Sequence, residues 1–532
     1  MEMGSIYRED SCRNSEDLVH NEIDIYEEVD RIFFENVADY SENPCKLIEK
    51  LSKKFWNEFK TWKCLHTDQV KQNDLVRMRG MILNGVDTEF SLNGVVTVDS
   101  DGNTHVVCGI LRDCIQCLNI EEIKGISHRY VYNVVPERGS AEWYTKTLSC
   151  KNHQKSVDAF LKDEKSKVSV KFYSSESELF SPNMVFDLYG IIDLNKIPDE
   201  ECDFSSVSKS SLCEATLHVI HYEPVDCYSI LSAVYPEVLD CPDVHARGIK
   251  ATLDALERFL DSKIVAELLV SRFIVSRSAQ PEKSVVNSLP YTLKNVCDSK
   301  TIIEMIKLFI SKVHVIEMSE KMLEESWASY MRPDGCFEQG LLQVSDDTLI
   351  IIDETKLPIN DLSLSKEGMK NFEIVSNFLL TGNMPFIFPY QTVEIESGAT
   401  VFILSGEKCF LGEANMFTKE HCSIKLPKSY LVDMRFIQQY GVEHDSVLNL
   451  CRHALLSCRK NLGNIEIGKE IQELSIQEFL EMQHKNRNTE RNSNRLHRML
   501  MISKCLASLM GQNYVDQKCW TRAVELENSL HE

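Results

Sequence analysis

The sequence predicts a mixed α+β, multidomain chain: a helical N-terminus, a small β-barrel, an α/β domain and a helical C-terminus. Three observations carry that expectation. The apolar period changes from helical spacing to strand-like runs near Asp74 and returns to helical spacing near Asp243. Between those points lie short β-rich runs divided by turn residues, the pattern of a small barrel. Beyond Asp243, helical stretches alternate with apolar runs such as Leu349 to Ile352, which suggests a sheet with crossover helices.

The chain has 532 residues, enough for roughly three or four domains. Hydrophobic residues make up 43% and charged residues 26%, the balance of a folded soluble protein. The 81 acidic residues outnumber the 58 basic ones, for a formal net charge of −23. That excess repels phosphate backbones, so proteins are the expected partners and direct nucleic-acid binding is not. No secretory signal opens the chain and no run of apolar residues is long enough to span a membrane. The 19 cysteines are scattered, many in apolar stretches (Cys108, Cys297, Cys451, Cys505), which reads as reduced cysteine used as a small hydrophobe in a cytosolic or nuclear protein.

Residues 1–30 read as a disordered acidic tail. In the helical region 31–70, Leu47, Leu51, Phe55 and Phe59 recur every four residues. The β domain is placed at 71–240. Its strands are expected at Leu75 to Ile82, Val95 to Val98, Thr104 to Ile110, Tyr130 to Val135, Val168 to Tyr173, Val185 to Ile192 and Ala215 to Ile220, with a polar linker at 151–167. Asp101-Gly102 marks a hairpin turn. The α/β domain is placed at 241–445. Ile249, Leu253, Leu256 and Leu260 share a helical face, Ile264 to Val275 is a buried helix, and strands are expected at Tyr291 to Val296, Leu349 to Ile352 and Val401 to Ser405. Residues 446–532 are expected to be wholly helical.

Thr348-Leu349-Ile350-Ile351-Ile352-Asp353-Glu354-Thr355 has the Walker B form, an apolar strand ending in two carboxylates. In an ATPase the first helps hold Mg²⁺ and the second orients water; the plainer reading is a buried strand leaving its sheet. A nucleotide site also needs a Gly-x-x-x-x-Gly-Lys-Ser/Thr loop. The two places sought for it, Leu260-Asp261-Ser262-Lys263 and Pro281-Glu282-Lys283-Ser284, lack glycine. Asp353 and Glu354 are therefore expected to be inactive, with no catalytic residue and no cofactor. Cys114, Cys117, Cys150 and His153 have the ligand types for zinc, but the gap between the pairs is long, and chance spacing is the preferred reading. His218 and His221 sit three apart in a strand, face opposite sides and are read as packing residues. His484 to Lys504, with Lys485, Arg487, Arg491, Arg495, Arg498 and Lys504, is the most basic segment; nucleic-acid contact is one reading of it, and a solvated helix face or a charged partner surface is the preferred one.

In this order the features resemble the MCM-binding protein family. The resemblance rests on Val76 to Ile82 with Asp87-Thr88-Glu89-Phe90, on Val135-Pro136-Glu137-Arg138-Gly139-Ser140-Ala141-Glu142-Trp143, and on Asp187 to Ile192. It extends to Gly340-Leu341-Leu342-Gln343-Val344 running into Leu349 to Thr355, and to Ala507 to Gln512 with Trp520 and Ala523 to Glu527. It implies an OB-like β-barrel, then a degenerate AAA+-like α/β domain with a helical C-terminal lid. It also implies a non-catalytic protein that binds MCM helicase subunits, and chromatin indirectly through them. The implied role is in MCM assembly, stability or unloading during S-phase DNA replication and in sister-chromatid cohesion, in the nucleus and partly the cytoplasm. Two other readings stay open on the residues alone: an atypical AAA+ ATPase, and an OB-type single-strand binder using Phe90, Tyr130 and Tyr132.

Overall fold

The structure is a computed structural model. It describes residues 25–65, 68–85, 87–98, 104–113, 120–148, 167–173, 180–194, 215–225, 227–234, 243–275, 292–333, 335–357, 364–413, 423–427, 430, 433–485 and 489–530. The architecture is mixed α/β with several sheets.

Helices at Ile25–Phe34, Val37–Glu42 and Pro44–Phe55 open the fold. The first begins inside the stretch expected to be a tail. Ile25, Val29, Ile32 and Phe33 form a buried stripe there that the surrounding carboxylates mask in composition. In the third helix Leu47, Leu51 and Phe55 are buried as their spacing requires, and Pro44 sits in its first turn, where no amide partner is needed. These helices share a core with Cys108, Tyr189, Ile191 and Ile220 of the neighbouring sheet and with Ile110 just after its fourth strand.

That sheet comprises β1 (Lys63–Cys64), β2 (Leu75–Ile82), β3 (Asp87–Val98), β4 (Thr104–Cys108), β5 (Ile120–Val135), β6 (Val168–Phe172), β7 (Val185–Leu194) and β8 (Ala215–Pro224). Its order is β1-β2-β7-β8-β6-β5-β3-β4, and β2 also pairs with β5. The pairings therefore run in a closed circuit through β2, β7, β8, β6 and β5, antiparallel except for β6 with β8. Val76, Met78, Tyr132, Val134, Val170, Leu188 and Leu217 make up much of the circuit's core. β5 is far longer than the strand expected at Tyr130 to Val135. Its first ten residues carry Glu121, Glu122 and Lys124, which hide the strand in the sequence, and pairing with β3 holds them.

A second sheet is wholly parallel: β9 (Thr292–Lys294), β10 (Val313–Glu317), β13 (Leu349–Asp353), β16 (Thr400–Leu404) and β17 (Ser423–Lys425), in the order β10-β13-β16-β9-β17. Every residue of β13 is buried, as a central strand covered on both faces demands. β10 and β17 were not foreseen, being short and interrupted by His314 or confined to three residues. A smaller sheet, β12-β11-β14-β15, uses β11 (Ser329–Met331), β12 (Phe337–Glu338), β14 (Asn383–Ile387) and β15 (Thr392–Glu396).

The C-terminal helices do not form a core of their own. Leu448, Cys451, Ile502, Cys505, Trp520 and Leu526 join Leu256, Leu269, Ile302, Ile306 and Phe402 in one cluster. The expectation of an all-helical end needs one correction: β18 (Glu466–Ile467) and β19 (Tyr514–Val515) form a short parallel pair. The basic segment is also not one solvated face. Arg498 is buried and donates through Nε and Nη2 to Glu527, at 3.1 and 2.9 Å; Arg487 lies outside the described residues. No described helix is long and apolar enough to cross a membrane.

The two large sheets are fastened along a seam built from the segments that carry the family resemblance. Met81, Leu83, Val135 and Val185 pack into one cluster with Trp327, Ile350 and Phe386. Glu137 meets Lys312 at 2.9 Å with both side chains buried, and Ser345 donates to the same carboxylate oxygen at 2.6 Å. The Val313 amide donates to Gly139 O, the Ala141 amide to Ser311 O, and Trp143 Nε1 to Lys307 O. From the other side Gln343 Nε2 donates to Leu83 O and to Asn183 Oδ1, while its Oε1 accepts from Ser329.

Candidate functional site

A parallel α/β sheet presents ligand-binding loops at the carboxyl ends of its strands, near the point where the winding reverses. Here the chain leaves β9 for the far edge at β10 and walks back through β13 and β16. It then crosses β9 to reach β17. The crevice to inspect is thus formed by the loops after β9, β13 and β16.

After β9 come Asn295, Val296, Cys297 and Asp298, and then the helix Ser299–Phe309. Strand, four-residue loop and helix is the layout of a phosphate loop. Lys300 and Thr301 occupy the Lys-Ser/Thr positions, while Lys294 and Ser299 stand where that motif has glycine. Sequence reasoning missed this segment because it sought glycine and looked upstream. Leu260 in fact ends the helix Val244–Leu260, Ser262 caps the helix Lys263–Ile274, and Pro281 to Ser284 lie outside the described residues. The usable signal was a Lys-Thr pair opening a helix directly after an apolar strand.

The loop's amides already have partners. Those of Asn295 and Val296 donate to Gly406 O and Ser405 O at 3.0 Å, and that of Cys297 donates to Tyr430 OH at 2.7 Å. Asp298 caps the helix: its Oδ1 accepts from the amides of Lys300 and Thr301, and its Oδ2 accepts from Thr301 Oγ1 at 2.5 Å. A carboxylate thus occupies the positive helix end, where a phosphate would need the same donors. Cys297, expected in an apolar interior, is exposed in this loop.

Asp353 and Glu354 sit at the end of β13, both buried. Asp353 Oδ1 accepts from the Thr355 amide and from Thr355 Oγ1, and Thr355 Oγ1 also reaches Ser299 Oγ at 3.4 Å. The structure therefore brings the two halves of the candidate nucleotide site together. Glu354 is turned inward: Oε1 accepts from Ser405 Oγ and the Phe410 amide, and Oε2 from the Leu411 amide. Burial pushes its pKa up, and these hydrogen bonds, with one from Cys409, only partly offset that. Glu354 is thus held by the segment after β16. The amides of Asn295, Val296, Cys297, Lys300 and Thr301 are engaged within the chain, and the Asp298 carboxylate holds the helix end at which a phosphate loop would seat its ligand.

The four zinc candidates Cys114, Cys117, Cys150 and His153 lie outside the described residues. Among described residues, Asp113, Asp193 and His218 come close enough to share an ion. Yet Asp113 Oδ1 already lies 2.6 Å from Lys171 Nζ and 2.7 Å from Arg129 Nη2, so side-chain cations fill that position. Burial lowers the pKa of His218 to about 3, and its Nδ1 pairs with Tyr173 OH at 2.7 Å. His221 stacks on Phe59. A register shift at Tyr189/Gly190 breaks the alternation of β8, so His218 and His221, opposite Ile191 and Tyr189, face the same N-terminal helical core rather than opposite sides as their spacing predicts.

The family model described as mini-chromosome maintenance replisome factor matches residues 52–168 and 159–532. The chain belongs to this family. Among curated proteins it is similar to the mini-chromosome maintenance complex-binding protein of Drosophila melanogaster, 22% identical over 557 residues, covering 86% of this chain and 89% of the fly protein. The Homo sapiens protein of the same description is 28% identical over 192 residues, 36% of this chain and 28% of the human one. The Gallus gallus protein is 26% identical over 191 residues, 35% of this chain and 28% of the chicken one. The vertebrate matches thus span about a quarter of those proteins, whereas the fly match runs through both large sheets. These relatives share the description of complex-binding proteins.

Proposed function

We propose that this chain binds the MCM complex through its folded surfaces and neither binds nor hydrolyses nucleotide. The strand circuit β2-β7-β8-β6-β5 reads as an OB-like barrel. The parallel sheet with Asp353-Glu354 reads as a degenerate AAA+-like domain, with the C-terminal helices as its lid. On that reading the chain is a subunit-shaped partner. It docks beside an MCM subunit, brings no nucleotide to the shared interface, and so affects assembly, stability or unloading of the ring during DNA replication in the nucleus. A role in sister-chromatid cohesion belongs to the same reading.

The observation that carries it is the Asp298 carboxylate seated on the amides of Lys300 and Thr301. Its full charge, held at the helix end, opposes a phosphate electrostatically and sterically. The relatives' description as MCM complex-binding proteins supplies the partner. The test is gel filtration of the purified chain with purified MCM subunits, with and without ATP. Co-elution in fixed stoichiometry is expected in both conditions. Failure to co-elute in either would refute the reading, and a complex formed only with ATP would refute its nucleotide-free part.

A further inference from the structure

β3 and β5 form a long antiparallel ribbon whose two faces differ. The register pairs Phe90 with His128, Ser91 with Ser127 and Leu92 with Ile126. Alternation therefore puts Ser91, Asn93 and Ser127 on one face and Phe90, Leu92, Ile126 and His128 on the other. The first face is occupied: Asn93 Nδ2 donates to Ser41 O of the helix Val37–Glu42, and Ser127 Oγ donates to Asn93 Oδ1. The second is open. Phe90 is 75% exposed and Ile126 60% exposed, and the Phe90 ring leans on His128 with centroids 4.6 Å apart. A contiguous apolar strip holding an exposed aromatic ring is costly in water unless something covers it, and aromatic anchors of this kind dominate binding energies.

The charge around the strip says what covers it. Asp87, Glu121 and Glu122 are exposed along the same two strands. Lys124 is there too, but it is paired with Glu122 at 2.6 Å. An acidic margin on a chain of net charge −23 disfavours a second copy of itself and disfavours nucleic acid. It complements a protein surface of aliphatic side chains ringed by lysine and arginine.

We infer that the Phe90–Ile126 face of the ribbon is the surface on which a basic, aliphatic patch of an MCM subunit docks. The inference rests on the proposed MCM binding and deepens it. Phe90 supplies the buried anchor, Leu92 and Ile126 the apolar bed, and the carboxylates steer the approach.

The experiment compares the full-length chain with Phe90→Ser/Ile126→Ser and with Glu121→Lys/Glu122→Lys for binding to purified MCM complex at two salt concentrations. Thermal melting and light scattering are run on all three. Both residues of the first pair are exposed, so its melting should match the parent's. Its affinity should fall about tenfold or more. The charge-reversed form should bind more slowly, by a margin that shrinks at high salt. Full affinity of the serine variant beside a binding parent would overturn the docking face and leave the proposed function standing. No binding by the parent itself would instead sink the proposed function, and this inference with it. A parent dimer that the serine variant converts to monomer would show a second copy on the face and would also overturn the inference.

Discussion

Lys312→Met is expected to destabilise the fold by about 3–5 kcal/mol, because it strands a buried carboxylate. Glu137 and Lys312 are both buried at the seam between the sheets, and the Glu137 oxygen that meets Lys312 also accepts from Ser345. Burial alone would raise the Glu137 pKa. The Lys312 charge, the Ser345 hydroxyl and Arg79 outweigh it and hold the carboxyl below its ordinary 4.5. Burial would likewise depress Lys312, and Glu137 more than reverses that, so its pKa is raised. A depressed carboxyl contributes stability that is present above its unfolded pKa and is lost as pH falls through the folded one. The gap between parent and variant should therefore be full at neutral pH and narrow in acid, below the ordinary glutamate range. Denaturant unfolding across that range measures it. Glu137→Leu/Lys312→Met removes both charges and should recover most of the loss. A single variant as stable as the parent would mean the pair is solvated and the seam looser than described.

Gly340→Ala should be nearly as damaging. An added Cβ would lie 2.3 Å from the backbone carbon of Ala328 and 2.6 Å from its oxygen, a contact that no rotamer change can relieve. Moving that backbone disturbs the Gly340 amide bond to Ser329, whose hydroxyl donates to Gln343, and with it the Gln343 bonds to Leu83 and Asn183. The expected cost is about 3 kcal/mol, at the upper end for overpacking. Gly468→Ala, with open space at its Cβ position, is the matched control and should stay within about 0.5 kcal/mol. Equal stability of the two alanine variants would show that the Gly340 turn can shift freely.

Much of the β unit was legible because its strands alternate. Leu75–Ile82 was bounded correctly to the residue, β6 and β7 to within two residues, and β8 at its start but four residues short of its end at Pro224. The extended half of β5 was not, because charge at Glu121, Glu122 and Lys124 looks like loop until the pairing with β3 is known. The segment Val135 to Trp143 stood out in the sequence, but its use did not. Nothing in the order of residues says that Glu137 will find Lys312, 175 positions on, since that contact depends on how the sheets dock. The candidate crevice was half legible. Asp353-Glu354 ends an apolar run and is hard to miss, whereas Lys294 to Thr301 has lost the glycines that mark a phosphate loop. Only the position of that segment after β9 reveals it. Side-chain capping by Asp298 is a local signal, since aspartate one residue before a helix is a strong cap. Its significance comes from where that helix sits.

The most direct test is calorimetric titration of the purified full-length chain with ATP and ADP in the presence of magnesium, followed by a phosphate-release assay. Committed loop amides and the Asp298 carboxylate at the helix end lead to no saturable heat and no release above buffer. Micromolar binding at one site per chain, or turnover abolished by Asp353→Asn, would contradict the proposal that this crevice takes no nucleotide.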